Sequence, residues 1–402
     1  RLAVIGWAWC QASALAPPAG SHPLWSMSAE IRHGDPGAVT GHISLAPDDS
    51  VVAALRLLCY GLAFFLAFQW GRDERRARRT LQALVLAGAV YAVYGLAAHW
   101  GGSDKLFWFE NSRYHTVVHS TFVNRNHFAT YAGMVLLCSL ALFYDTLQRH
   151  HAPAARMPAG RVPKGARVTT AGDRLEQFAL LAWKPLLLVL LLTTALVLTA
   201  SRGGFFSTFA GGAVLLVALS ARRRLRSARS LAFIVLAAGM AAVAFWLTSE
   251  MLLDRLDRGG LEDNLRFAAY GLVTESSRDN PLLGFGYGTF ADSFRLYRSD
   301  AITGYLDRAH NTYLENLFEL GWPAALALFA TVGAAFLVCL RGLRRRGKDW
   351  FYPATGLAVT VLVAIHAWFD FSLQMPAVAM TYAVIMGVAC AQSYSSVDRH
   401  ER

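Results

Sequence analysis

Apolar runs long enough to cross a bilayer recur along almost the whole chain, separated by short polar segments. A helix needs about 20 mostly apolar residues to cross the hydrocarbon core. Runs of that order occupy Val51–Trp70, Leu81–Trp100, Phe122–Tyr144, Phe178–Ala200, Phe205–Ala221, Leu231–Thr248, Leu317–Leu340, Phe351–Phe371 and Ala377–Gln392. Leu2–Ala16 makes a shorter run that carries Gln11 and Ser13. The pattern predicts an all-α integral membrane protein, a multi-span helical bundle of about 10 transmembrane helices. The spans themselves can direct insertion, so no cleavable signal is required. The chain opens on Arg1 rather than Met, and an upstream portion is therefore expected to be missing.

The polar segments sort by charge. Lys and Arg gather at Arg72–Arg79, Arg149–Arg174, Arg222–Arg229 and Arg341–Lys348, after every second span. Basic residues in short loops are held on the cytoplasmic side, which makes 145–177, rich in Ala, Pro and Arg, a flexible cytoplasmic loop. The segments Pro17–Ser50, Gly101–Thr121, Ser201–Gly204, Ser249–Asn316 and Ser372–Pro376 then all face outward. Pro17–Ser50 shows no strong period and is expected to be irregular. The large outward loop, 249–316, contains Leu265, Ala268, Ala269, Leu272 and Val273 at helical spacing, which predicts an amphipathic helix on the outer surface. Asn280–Gly288 follows with alternate glycines. Lacking a preceding strand it is a weak nucleotide fingerprint, and it is expected to be a turn that folds His310 back toward the membrane. No internal repeat and no soluble domain is visible, so 1–402 reads as one polytopic domain.

Composition agrees with this class. Hydrophobic residues make up 55% and charged residues 16% of the chain, far from a soluble enzyme of this length. The Arg clusters account for the net charge of +11 as topology signals beside anionic lipid headgroups; membrane lipids are the expected partners, and nucleic acid is not. Cys10, Cys59, Cys138, Cys339 and Cys390 all lie in apolar runs without a C-x-x-C or metal-ligand spacing, so disulfides, a structural zinc and a thiol nucleophile have little support.

Candidate chemistry concentrates in the outward segments. Arg308-Ala309-His310-Asn311-Thr312-Tyr313-Leu314-Glu315 closes the large loop where it meets an apolar run. There an imidazole can act as general base, or simply cap the helix start. Asn124-Arg125-Asn126-His127 crowds polar groups at the outer end of a span, costly to desolvate unless they line a cavity or hold a ligand. Arg125 suits a phosphate or sugar there, and equally a snorkelling side chain. Ser201-Arg202-Gly203-Gly204 reads as a tight outward turn between two spans; a guanidinium grips phosphate through a bidentate fork, and Arg202 is placed for that or for snorkelling. His366 and Asp370, four apart, are expected to share a helix face near its outer end, as a catalytic or a packing pair.

Together these motifs resemble the bacterial O-antigen ligase superfamily. The residues that carry the resemblance are Thr121-Phe122-Val123-Asn124-Arg125-Asn126-His127-Phe128, Ser201-Arg202-Gly203-Gly204, Arg266 followed by Asn280-Pro281-Leu282-Leu283-Gly284-Phe285-Gly286, Ala309-His310-Asn311-Thr312-Tyr313-Leu314-Glu315, and Asp370-Phe371-Ser372-Leu373-Gln374. That superfamily also holds O-antigen polymerases and protein O-oligosaccharyltransferases, and the resemblance does not separate them. It implies a GT-C-like, metal-independent glycosyltransferase of the bacterial inner membrane with its site facing the periplasm. The donor would be a glycan on undecaprenyl diphosphate, and the acceptor lipid A-core, a growing glycan or a protein hydroxyl. By that resemblance Arg202 and Arg266 hold the diphosphate, with Arg125 beside them, and His310 activates the acceptor. Asn126, His127, Asn311, Tyr313, His366 and Asp370 are expected in support.

A lipid diphosphate is already a good leaving group, so an inverting displacement needs only charge neutralisation by the arginines and a base. The outward loops contain no Asp-x-Asp, and neither metal nor cofactor is expected; Asp254 and Asp257, flanked by Arg255 and Arg258, are a poor substitute. A transporter is the rival from another class, since buried Arg, His and Asp also mark transport routes. It predicts polar groups at mid-membrane, whereas the spans between Leu81 and Ala221 are apolar at their centres. A non-catalytic scaffold leaves the outward Arg and His clusters unexplained.

Overall fold

The computed structural model describes residues 2–14, 20–33, 40–102, 105–106, 109–110, 116–149, 171–221, 260–298 and 306–394. Among them are thirteen α-helices: α1 Leu2–Ala12, α2 Pro23–His33, α3 Pro47–Trp70, α4 Glu74–Trp100, α5 Arg125–Arg149, α6 Ala171–Leu198, α7 Arg202–Ala221, α8 Gly260–Ser276, α9 Phe290–Ser293, α10 Thr312–Leu320, α11 Trp322–Arg345, α12 Phe351–His366 and α13 Pro376–Ala391. The only strands among the described residues are two-residue pieces, Lys105–Leu106 and Phe109–Glu110, paired antiparallel. α3, α4, α5, α7 and α11 contain windows long and apolar enough to cross a membrane. The protein is a helical membrane protein. The run Leu231–Thr248, the cluster Arg222–Arg229 and most of 145–177 lie outside the described residues.

The chain divides into two compact units. The unit formed by Phe68–Leu247, Val338–Leu362 and Val388–Arg402 is built around α5, which is buried from His127 to Asp145. Small residues let its neighbours close in: a Cβ on Gly88 would strike Val135, one on Gly204 would strike Ala129, and one on Gly133 would strike Thr208. With no water to expel between helices in lipid, such close backbone approach is what supplies the attraction. α4 starts where Asp73 caps it, its side chain accepting from the Arg76 N–H at 2.9 Å. Arg78, within the basic cluster, reaches Asp145 and Thr146 near the end of α5, so this arginine is a packing partner.

The second unit comprises Arg1–Ala67, Thr248–Leu337 and Val363–Gly387. Its aromatic core consists of Phe285, Phe290, Phe294 and Phe318 with Ala269, Val273 and Ala309; Phe285 stacks on Phe318 with ring centres 4.4 Å apart. Gln11 of α1 is fully buried and donates to the carbonyls of Leu283 (2.6 Å) and Glu319 (2.9 Å) while accepting from the Tyr287 N–H (3.1 Å). The amide thus satisfies backbone groups that the surrounding loop leaves over.

Several expectations need correction here. Pro17–Ser50 contains a helix, α2, rather than irregular chain throughout. Arg202 is the first residue of α7, not the apex of a turn. The run Leu317–Leu340 is not one helix: α10 ends at Leu320, Gly321 takes φ +75° and ψ 158°, and α11 starts at Trp322. That backbone conformation is almost confined to glycine, and a Cβ at Gly321 would meet the Leu282 carbonyl. Gly284, with φ +69°, is pressed against the backbone of Glu319 and Gly321 in the same way. Cross-links between Phe285 N and Phe318 O (3.2 Å), Gly286 N and Glu319 O (3.0 Å), and Trp322 N and Pro281 O (2.7 Å) finish the joint. The alternating glycines therefore serve close backbone approach. α10 precedes the membrane span instead of belonging to it.

Candidate functional site

His310 sits immediately before α10 with φ +51°, a left-handed conformation that a non-glycine residue adopts only when its surroundings impose it. The surroundings can be named. Asn311 caps α10, its side-chain oxygen accepting from the N–H groups of Tyr313 (3.0 Å) and Leu314 (3.1 Å). The Thr312 N–H donates to the Ala367 carbonyl and its hydroxyl to the Asp370 carbonyl, both at 2.9 Å. The Tyr313 hydroxyl donates to Ala364 O at 2.8 Å, and the Tyr270 hydroxyl of α8 to the His310 carbonyl itself at 2.8 Å. The start of α10 is thus tied on one side to α8 and on the other to the chain leaving α12.

That second tie places Asp370 beside His310. α12 ends at His366, so His366 and Asp370 are not two positions on one continuing helix; Asp370 lies beyond a turn, its N–H bonded to the His366 carbonyl at 3.0 Å. Asp370 Oδ1 lies 3.5 Å from His310 Nδ1, an ion-pair distance longer than a good hydrogen bond, and accepts from the Phe371 N–H at 2.8 Å. The carboxylate is 1% exposed and the imidazole 25%. A carboxylate facing Nδ1 favours a proton there and leaves Nε2 to accept another. His366 is buried, and its Nδ1 has no hydrogen-bond partner among the described residues.

An acidic cluster underlies this loop. Glu315 is fully buried; its Oε1 accepts from Arg308 Nη1 at 3.0 Å and its Oε2 from the Ala309 N–H at 2.9 Å. Arg308 Nη1 also donates to Gln374 Oε1 at 3.1 Å. One turn later, buried Glu319 accepts from the Phe290 N–H at 2.9 Å. Burial, followed by the charge of Glu315, pushes the Glu319 carboxyl up to about 8, with Arg308 opposing. Burial also raises Glu315, while Arg308 and the Ala309 N–H pull it back. Arg266 lies on α8 four residues before Tyr270.

The other unit holds the remaining candidates at two helix starts. Asn124 accepts from the Asn126 N–H at 2.8 Å as α5 begins with Arg125. Ser201 accepts from the Gly204 N–H at 3.2 Å as α7 begins with Arg202. The Ser201 hydroxyl donates to Asn126 Oδ1 at 2.8 Å, so the two N-termini are joined, each with an arginine at its first position. His127 is buried at the same end of α5. Two N-termini carry partial positive charge that adds to the two guanidinium groups, a setting suited to an anion. Ala200, with φ +49°, shows that the entry to α7 is also held in a strained conformation.

A family model described as O-Antigen ligase matches residues 187–329. This stretch is similar to the O-antigen ligase family. The matched stretch includes Arg202, Arg266 and His310, whereas Arg125, Asn126, His127, His366 and Asp370 fall outside it. Members of the family are glycosyltransferase-like enzymes. No curated protein matches the chain.

The motifs suggested no role for Glu315 or Glu319, nor for Ser201 or Tyr270, although Glu315 and Ser201 stand within them. A signal existed for the first two: acidic residues four apart in an otherwise apolar stretch that leads into a span are costly unless partnered.

Proposed function

We propose that this protein transfers a glycan from undecaprenyl diphosphate to an acceptor hydroxyl at the periplasmic face of the bacterial inner membrane. The observation that carries this reading is the His310–Asp370 pair. A partly exposed imidazole on a strained backbone, backed by a buried carboxylate, is the arrangement of a general base rather than of a helix cap. Capping of α10 is done by Asn311, which leaves His310 free of that role.

In the proposed step, the acceptor hydroxyl gives its proton to His310 Nε2 as its oxygen attacks the anomeric carbon from the face opposite the diphosphate. The bond to the diphosphate oxygen breaks and the configuration inverts. Asp370 stabilises the imidazolium that forms. Arg202 and Arg266, with Arg125 at the neighbouring helix start, take up the charge of the departing lipid diphosphate; the joined N-termini of α5 and α7 support the part played by Arg125 and Arg202. Asn126, through Ser201, fixes the start of α7 and so the backbone of Arg202.

The outward placement of 249–316, the cytoplasmic placement of 145–177 and the reading of 1–402 as one polytopic domain belong to the same proposal. The test is incubation of the purified chain with undecaprenyl-diphosphate glycan and, separately, lipid A-core, free glycan or a hydroxyl-bearing peptide. Product mass identifies a ligase, a polymerase or a protein transferase. Movement of the glycolipid across vesicles with no transfer to any acceptor would favour the transporter reading instead.

A further inference from the structure

We propose that Glu315 is the positioning residue for His310, holding its strained backbone, and so the imidazole, in register for proton transfer without touching substrate. The inference rests on the reading of His310 as the general base. Both oxygens of one fully buried carboxylate are engaged with the two residues before His310: Oε1 with the Arg308 guanidinium and Oε2 with the Ala309 N–H. Arg308 passes the restraint on to Gln374, in the short turn that follows Asp370 and Phe371. One side chain therefore ties the segment that carries the imidazole to the segment that carries its carboxylate partner. The Glu315 N–H in turn donates to the Asn311 carbonyl at 3.0 Å, so the restraint is anchored in the first turn of α10.

The chemistry requires a carboxylate. Ala309 and Arg308 both donate, and a group with two acceptors satisfies them together; an amide of the same size offers one acceptor and turns an N–H₂ toward a donor. Burying a charge this deeply is costly and is tolerated where donors surround it, as they do here. Because His310 holds φ +51°, loss of the Ala309 contact lets the backbone relax toward an ordinary conformation and moves the ring. A misplacement of about 1 Å costs on the order of 10²-fold in rate.

The experiment compares the full chain as wild type, Glu315→Gln, His310→Ala and the double variant, in lipid nanodiscs, with undecaprenyl-diphosphate glycan and the acceptor turned over by wild type. Glu315→Gln is expected to lower kcat by about 10- to 10²-fold, with the donor KM within about twofold of wild type. In the His310→Ala background the same change should cost nothing further, because Glu315 acts only through the imidazole. An equal loss in both backgrounds, or a raised donor KM, would overturn the inference in favour of a structural role; so would an unchanged kcat. A wild-type rate in His310→Ala would instead overturn the base assignment itself. Should Glu315→Gln fail to accumulate as folded protein, Arg308→Lys keeps the charge but not the fork, and must show the same kcat-only, His310-dependent loss; its absence overturns the proposal.

Discussion

Replacing Asp370 with Asn keeps the size of the side chain and an oxygen able to accept from the Phe371 N–H, and it leaves untouched the Asp370 carbonyl that holds Thr312. What it removes is one negative charge 3.5 Å from His310 Nδ1. At that separation, with an effective dielectric of about 20, the attraction for a full positive charge on the ring is about 5 kcal/mol. The carboxylate is 1% exposed but the imidazole is 25% exposed, so water and counterions reach one partner. Discounting for that screening leaves about 1.5–3 kcal/mol. If the charge on the imidazole develops as the acceptor proton is taken, this much is lost from the transition state, an expected 10- to 10²-fold fall in kcat. Glycan transfer measured at saturating donor and acceptor, with thermal unfolding as a control for folding, is the assay. Asp370→Asn with wild-type kcat, or with a loss equally large on a His310→Ala background, would show that Asp370 does not act through the imidazole.

Three further outcomes are expected. Glu319 keeps its proton up to about 8 when folded and loses it near 4.5 when unfolded, so the native state binds the extra proton between those values and stability falls as pH rises through that window. The melting temperature of Glu319→Gln relative to wild type should therefore climb from about pH 5 to about pH 8.5, and a flat difference would contradict the assignment. Gly321→Ala should lower stability by at least roughly 1–3 kcal/mol, read as an earlier thermal transition, because its φ and ψ exclude a side chain and the Leu282 carbonyl occupies the space. In a cysteine-free background, reporters at exposed Val123 and Asp307 should label from outside the cell and reporters at exposed Arg75 and Gly347 should not; outside labelling at Gly347 would reverse the orientation.

The fold was legible in the sequence wherever one apolar run made one helix. α3, α5, α7 and α13 begin and end within about five residues of the apolar runs they grew from. It was hidden at Gly321, because Leu320 and Trp322 are both apolar and hydropathy carries no sign of a backbone that reverses between them. α2 was hidden for another reason: its exposed residues mix apolar Met27 and Ile31 with polar Ser26, Ser28 and Glu30, so no clear period marks one face. The individual candidates were readable as residue types at loop–helix junctions. Their partners were not. Asp370 sits four residues from His366 in sequence but faces His310, 60 positions away, because Thr312 and Tyr313 bind the end of α12. Local spacing carries no information about that contact.

His310 is assigned the chemistry and Arg202 the donor, and these two roles separate in binding and in rate. Affinity for undecaprenyl-diphosphate glycan and the rate of transfer are measured on His310→Ala and Arg202→Ala side by side. His310→Ala is expected to lower the rate by about 10²–10⁴-fold with donor affinity near wild type. Arg202→Ala removes charge-assisted hydrogen bonds worth about 1.5–3 kcal/mol, and is expected to weaken donor binding together with the rate. A His310→Ala protein that retains most of its activity, or that loses donor binding while Arg202→Ala keeps it, would contradict the account.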